Sequence, residues 1–142
     1  LPGVLASIAL GMYTVFLLAV FKLWGITLTL SGIAGVILSI GMAVDANILI
    51  FERMKEELKN ARPLDSAIAE GFKRAWTSIY DSNISSLITC AILYSFTSSS
   101  VRGFAVTLAL GILISMFSAI TVTRTLLRLV APWAAKHLWL FK

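Results

Sequence analysis

The sequence predicts an all-α membrane protein, four transmembrane helices with one amphipathic cytoplasmic helix, and three observations carry that prediction. Of 142 residues, 58% are hydrophobic and only 13% charged, and the mean hydropathy is +0.91; soluble domains run at about 45–50% apolar and about 25% charged. Four uncharged runs, Leu1 to Phe21, Leu23 to Val44, Ser82 to Val101 and Gly103 to Thr123, each reach the roughly 20 residues a helix needs to cross a bilayer core. Arg53, Lys55, Lys59, Arg62, Lys73 and Arg74 all fall between the second and third runs, whereas the other two connections hold only Lys22 and Arg102. By the positive-inside rule the longer connection is cytoplasmic. An even number of intervening spans puts both ends of the chain on that side, in agreement with Arg124, Arg128, Lys136 and Lys142 near the C-terminus. This placement explains the net charge of +5 better than a nucleic-acid partner does. The first run lacks a basic leader segment and three comparable spans follow it, so it reads as a membrane helix and not a cleaved signal.

The first span covers about residues 3–24 and ends at Trp24 and Gly25, giving a very short turn into the second, about 27–51. From Glu52 the apolar pattern yields to ERMKEELKNARP, where Glu52 with Glu56 and Arg53 with Glu57 have i,i+4 spacing, so the second helix should continue beyond the bilayer until Pro63 breaks it. Leu64, Ala67, Ile68, Gly71, Phe72, Ala75 and Trp76 then repeat with helical period and predict an amphipathic helix over 64–76 within the cytoplasmic connection 52–76. No helix-breaking residue separates it from the third span, about 77–97. The TSSS run at 97–100 makes a polar turn, and the fourth span, about 103–130, is expected to stop at Pro132, leaving a tail of 131–142. A single transmembrane domain, 1–142, accounts for the whole chain.

Gly32, Gly35, Ser39 and Ala43 lie three or four apart on one face of the second span, where small residues permit close helix approach, and Asn47 extends the stripe. Cys90 is the lone cysteine, which excludes an internal disulfide and leaves a metal site without sulfur partners. His137 has no second histidine or acid nearby and reads as a surface or headgroup residue. No cofactor and no metal site are expected.

Five of the seven acidic residues belong to the cytoplasmic connection; the other two, Asp45 and Asp81, lie inside spans. Each occurs as D-small-N, V-D-A-N in one helix and Y-D-S-N in the next, which runs the opposite way. At about 1.5 Å per residue each lies roughly 10–12 Å from its basic cytoplasmic flank, Arg53 or Arg74, so the two share a depth. A charged Asp in hydrocarbon costs about 2.5–3.5 kcal/mol on insertion scales, so each is expected to face the bundle interior or a hydrated cavity and to be functional. Desolvation disfavours the anion, so a carboxyl placed there can load and release protons. The competing reading is a polar clamp between helices that does not titrate. Asp45 is the stronger candidate because it follows the longer apolar run. Arg124 is a third polar candidate at comparable depth, or else the first cytoplasmic positive charge, snorkelling to the headgroups.

LTLSGIAGVILSI, GMAVDANILIFERMKEEL, DSNISSLI and VRGFAVTLALGI together resemble the C-terminal membrane helices of the SecD family, accessory subunits of the bacterial Sec translocase within the RND superfamily. The V-D-A-N-x-L-I-x-E-R-x-K-E-E-L pattern separates it from the SecF partner family, which carries D-x-x-V-V-x-D-R in the corresponding helix. The resemblance implies a six-helix bundle of which this chain supplies helices three to six, without the first two helices and the large extracytoplasmic domain. It implies residence in the bacterial cytoplasmic (inner) membrane, partnership with SecF, the SecYEG channel, the SecA ATPase and unfolded preprotein, and use of the proton motive force to help complete export. Asp45 then matches the family aspartate of the proton path, and Asp81, Asn47 and Asn83 match polar positions of adjoining helices. Ser31 stands where the family often has proline, a departure expected to remove a kink.

Two other function classes compete. Another RND-type proton-coupled exporter, of lipids or small molecules, would share the fold and the membrane carboxylates. An intramembrane aspartyl protease would use two aspartates, and Tyr80-Asp81 reproduces its Y-D element, but its G-x-G-D and P-A-L elements are missing. A non-transporting scaffold is a further reading, in which Asp45 is replaceable by Asn.

Overall fold

The computed structural model describes residues 2–60 and 63–134. Leu1, Arg62 and the tail from 135 onward, with Lys136, His137 and Lys142, lie outside the described residues. All regular structure described is helical: α1 (Pro2–Leu23), α2 (Leu30–Lys59), α3 (Leu64–Phe96), α4 (Ser99–Ser118), a π-helical turn (Ala119–Thr123) and α5 (Arg124–Ala134). Three helical stretches are long and apolar enough to cross a membrane, Gly3–Leu23, Leu30–Lys59 and Ser99–Leu129. The fourth candidate, α3, is equally long but diluted by Asp81 and a series of Ser and Thr residues.

α1 ends in a Schellman turn: Ile26 N–H donates to the Phe21 carbonyl (3.0 Å) and Gly25 N–H to that of Lys22 (3.4 Å). Gly25 has φ +61°, a left-handed conformation that a residue without Cβ adopts at no steric penalty. The second helix starts later than residue 27, because Thr29 is its N-cap, its hydroxyl accepting from Gly32 N–H at 3.1 Å. Ser31 thereby falls in the first turn, where a proline would not bend a helix either. The expected loss of a kink therefore does not apply. Ser31 instead donates to the Ser100 carbonyl (2.7 Å), tying the start of α2 to the start of α4.

α2 runs unbroken to Lys59, and 64–76 and 77–96 form one continuous helix, α3. The last helix differs from the expectation of a stop at Pro132: α5 continues through it to Ala134. Proline removes only one N–H from the ladder, here within the final turn, where few bonds remain to be lost.

α2 packs against α1, α3 and α4. Its stripe of Gly32, Gly35, Ser39, Ala43 and Asn47 is buried. A Cβ on Gly35 would collide with the Thr107 hydroxyl and stand 2.9 Å from the Phe104 carbonyl oxygen and 3.2 Å from Leu108 N, so α2 and α4 approach there to backbone distance with only the Thr107 side chain at the contact. Thr107 donates to the Gly32 carbonyl (3.0 Å) across the same contact. Tyr13 of α1 closes it from the other side, donating to Ser39 Oγ (3.0 Å) with the Gly111 carbonyl 3.2 Å away. At the other end, Ile50, Phe51 and Met54 of α2, Leu64, Ile68, Phe72, Ala75 and Ile79 of α3, and Leu127 of α5 form one apolar cluster.

Gly71 holds α3 against α2: a Cβ there would meet Met54 N and Cα at 2.7 Å, backbone atoms that cannot rotate away. Gly41 has open space around it. Gly71→Leu should therefore destabilise the protein by about 1–3 kcal/mol through overpacking, whereas Gly41→Leu should be neutral or mildly stabilising. Thermal melting of the detergent-solubilised protein checks this, and equal melting temperatures for the two variants would contradict it.

Candidate functional site

Residues two apart on a helix diverge by about 200°, and α2 uses that divergence: Asp45 is exposed whereas Asn47 is buried at 6% exposure. Asp45 lies in a groove of about 240 Å³ between α2 and α3, lined by Met42, Asp45, Ala46, Leu49, Ile79, Ser82 and Asn83. Asn83 is buried and Ser82 exposed, and both can answer either form of a carboxyl group. An amide offers NH₂ to a carboxylate and its carbonyl oxygen to a protonated acid.

The groove joins Asp45 with Asn83, not with Asp81. Asp81 is exposed, sits in the same turn of α3, and does not line the groove. Neither Asp45 nor Asp81 is enclosed among the described residues: of the two settings expected, the bundle interior or a hydrated cavity, Asp45 lies in a groove and Asp81 does not line it. The physical reason lies in the small-residue stripe, which turns the Gly32–Asn47 face of α2 toward α4 and leaves the carboxylate on the outer flank.

Asn47 meets a residue that its own sequence context does not suggest. Thr123 Oγ1 donates to Asn47 Oδ1 at 2.7 Å, with both side chains buried. Thr123 closes the π-helical turn Ala119–Thr123, the point where α4 widens by one residue per turn before α5. Tyr13 and Thr123 were both missed by patterning. The available signal is a hydroxyl within an apolar run, which Tyr13 and Thr123 share with many other residues of this chain.

Arg124, one residue further, does not reach Asp45's groove. Its guanidinium lies over the Phe72 ring, 5.4 Å from the centroid, at the charged end of the bundle. On the charged extension of α2, Glu57 is 3% exposed and is met by Arg74 at 2.6 Å. That hydrogen bond is the main reason the Arg74 guanidinium is held even further into its charged form.

Long apolar helices packed through small residues, with a carboxylate on the flank of one of them, are the setting for comparison with known proteins. A sequence model of the MMPL family matches residues 1–140. The chain belongs to the MMPL family. Within it, the chain is similar to protein translocase subunit SecD of Thermobaculum terrenum, 56% identical over 146 residues that cover 99% of this chain and 28% of that protein. It is likewise similar to SecD of Pseudomonas aeruginosa, 52% identical over 128 residues, 90% of this chain and 21% of that one. A crystal structure of SecDF, a translocon-associated membrane protein from Thermus thermophilus, superposes with a TM-score of 0.90 at 43% identity, covering 94% of this chain and 19% of that one. SecDF in a super-membrane-facing form gives 0.87 at 45% identity, covering 92% and 18%. This MMPL-family chain therefore resembles a C-terminal membrane portion of SecD and spans at most about a third of the length of these relatives, 28% and 33% for two of them.

Removing the Thr123 hydroxyl while keeping its volume tests the buried pair. Thr123→Val leaves the Asn47 carbonyl without its donor, an unmet buried acceptor worth about 1–3 kcal/mol, although interhelical hydrogen bonds in membranes average only about 0.6 kcal/mol. Thr123→Val should lower the melting temperature and Thr123→Ser should not; an unchanged melting temperature in Thr123→Val would refute the pair's structural role.

Proposed function

We propose that this chain is the membrane part of a Sec translocase accessory subunit that couples the proton motive force to export of proteins through the SecYEG channel. The similarity to SecD along nearly the whole chain supports the assignment. The observation that carries the coupling role is Asp45, a carboxylate exposed on the flank of an apolar helix and beside the amide of Asn83.

In this reading residues 77–96 of α3 are a fourth span, and 64–76 lie along the cytoplasmic surface as the amphipathic start of that helix. Burial of Leu64, Ala67, Ile68, Gly71, Phe72 and Ala75, with Asp65, Lys73 and Arg74 exposed, supports the second point. Both ends then face the cytoplasm of a bacterial cell, with SecF, SecYEG, SecA and unfolded preprotein as partners. A further membrane helix, from SecF, covers the Asp45 groove.

Asp45 is the coupling residue, with Asn83 supporting it directly and Asn47 holding α2 to the π-helical turn from the opposite face. Asp81 is a second coupling candidate outside the groove. An ionised Asp against hydrocarbon costs about 2.5–3.5 kcal/mol, so taking up a proton removes a penalty that biases a two-state packing equilibrium by roughly hundredfold or more. Protonation shifts how α2 and α3 pack against the covering helix, and that shift drives the extracytoplasmic domain between conformations.

Asp45→Asn in the full-length complex should abolish the proton-gradient-dependent phase of preprotein export in inverted membrane vesicles while leaving assembly and ATP-driven initiation intact. Asp81→Asn should reduce that phase less. Full gradient-dependent export by Asp45→Asn would overturn the reading, and intact secretion combined with altered drug or lipid efflux would replace it with an exporter.

A further inference from the structure

A second cleft lies at the charged end of the bundle, away from Asp45. It encloses about 250 Å³ between the first turns of α3 and the face of α5, lined by Asp65, Ile68, Ala69, Phe72, Arg124, Arg128 and Pro132. Arg124 and Arg128 are i and i+4 on α5, so their guanidinium groups fall on the same side. Both are exposed, and neither has an ion-pair partner among the described residues. Arg124 is held in place by Phe72, whose ring lies 5.4 Å from the guanidinium carbon, a cation–π contact that orients the planar donor fork without consuming its hydrogen bonds. The carboxylate of Asp65, in the first turn of α3, is the one opposing charge among the described residues lining the cleft. Among the described lining residues, two guanidiniums and one carboxylate leave a single net positive charge above an apolar floor of Ile68, Ala69 and Phe72.

We propose that this cleft binds the headgroup of an anionic phospholipid from the cytoplasmic leaflet. The phosphodiester sits between Arg124 and Arg128, and an acyl chain follows the apolar floor toward the bilayer. One phosphodiester carries the single negative charge that neutralises the site, whereas a zwitterionic headgroup leaves its net charge unchanged. Bidentate N–H pairs from arginine match the geometry of phosphate oxygens. Basic pockets between membrane helices on this side are where such headgroups are held. The inference rests on the membrane topology proposed above, but not on protein export, since its readout is lipid retention.

The test uses the full-length protein in nanodiscs of phosphatidylcholine containing a minor fraction of phosphatidylglycerol. Lipids retained on the protein are counted by native mass spectrometry, with inorganic phosphate as a parallel probe. The parent protein should retain phosphatidylglycerol over phosphatidylcholine, and Arg124→Gln/Arg128→Gln should lower that preference by about fivefold or more. Ala69→Phe, which fills the cleft and leaves every charge in place, should lower it similarly and keeps the proposal testable if the double variant fails to fold. Arg102→Gln, at the opposite end of the bundle, should have no effect. The proposal is overturned by an unchanged preference in the double variant, by an unchanged preference in Ala69→Phe, which would mean diffuse surface charge, or by inorganic phosphate displacing the retained lipid completely, which would mean a plain anion site.

Discussion

Close backbone contact between α2 and α4 is the constraint on which the rest of the structure depends. In a bilayer, lipid tails are as apolar as the helix surfaces, so association needs tight packing and interhelical hydrogen bonds more than hydrophobic burial. Gly35 supplies the first, with the Phe104 carbonyl standing where a side chain would begin. Thr107 on the Gly32 carbonyl and Tyr13 on Ser39 supply the second. Together they fix the rotation of α2 about its own axis.

That rotation decides what each polar residue of α2 can do. Asn47 continues the buried stripe and is delivered to Thr123 at the π-helical turn. Asp45, about 200° around the helix, is delivered to the outer flank beside Asn83. A single helix thus carries a structural amide inward and an ionisable group outward. The same register continues past the apolar segment, where Met54 packs on Gly71 and Glu57 meets Arg74. Polar groups at both ends and in the middle of α2 therefore report on one rigid element, which suits a helix whose packing responds to a charge on its flank.

Much of this was legible in the sequence because it follows from period and composition. The apolar runs, the continuation of α2 to Lys59 past the charged transition, and the helical period of Leu64, Ala67, Ile68 and Phe72 are local properties of the chain. The break in pattern at Asp45 was legible for the same reason. What escaped was set by tertiary contact. No local signal says that Thr123, among several threonines near the end of α4, is the one opposite Asn47, or that five residues there adopt π-helical geometry. Propensity alone makes Pro132 a stop, yet a proline in a final turn removes too little to end the helix. The insertion cost of a carboxylate points to the bundle interior or a cavity but not to which of the two, and only the packing of α2 on α3 and α4 puts Asp45 in the groove beside Asn83.

The central claim is that Asp45 exchanges a proton at a protein-covered flank of α2. Difference infrared spectroscopy of the full-length complex in membranes tests it most directly, by following carboxylic-acid C=O stretching as the pH is lowered. The account predicts a band that grows with acidification and is missing from the Asp45→Asn complex. A carboxyl spectrum that Asp45→Asn leaves unchanged would contradict it.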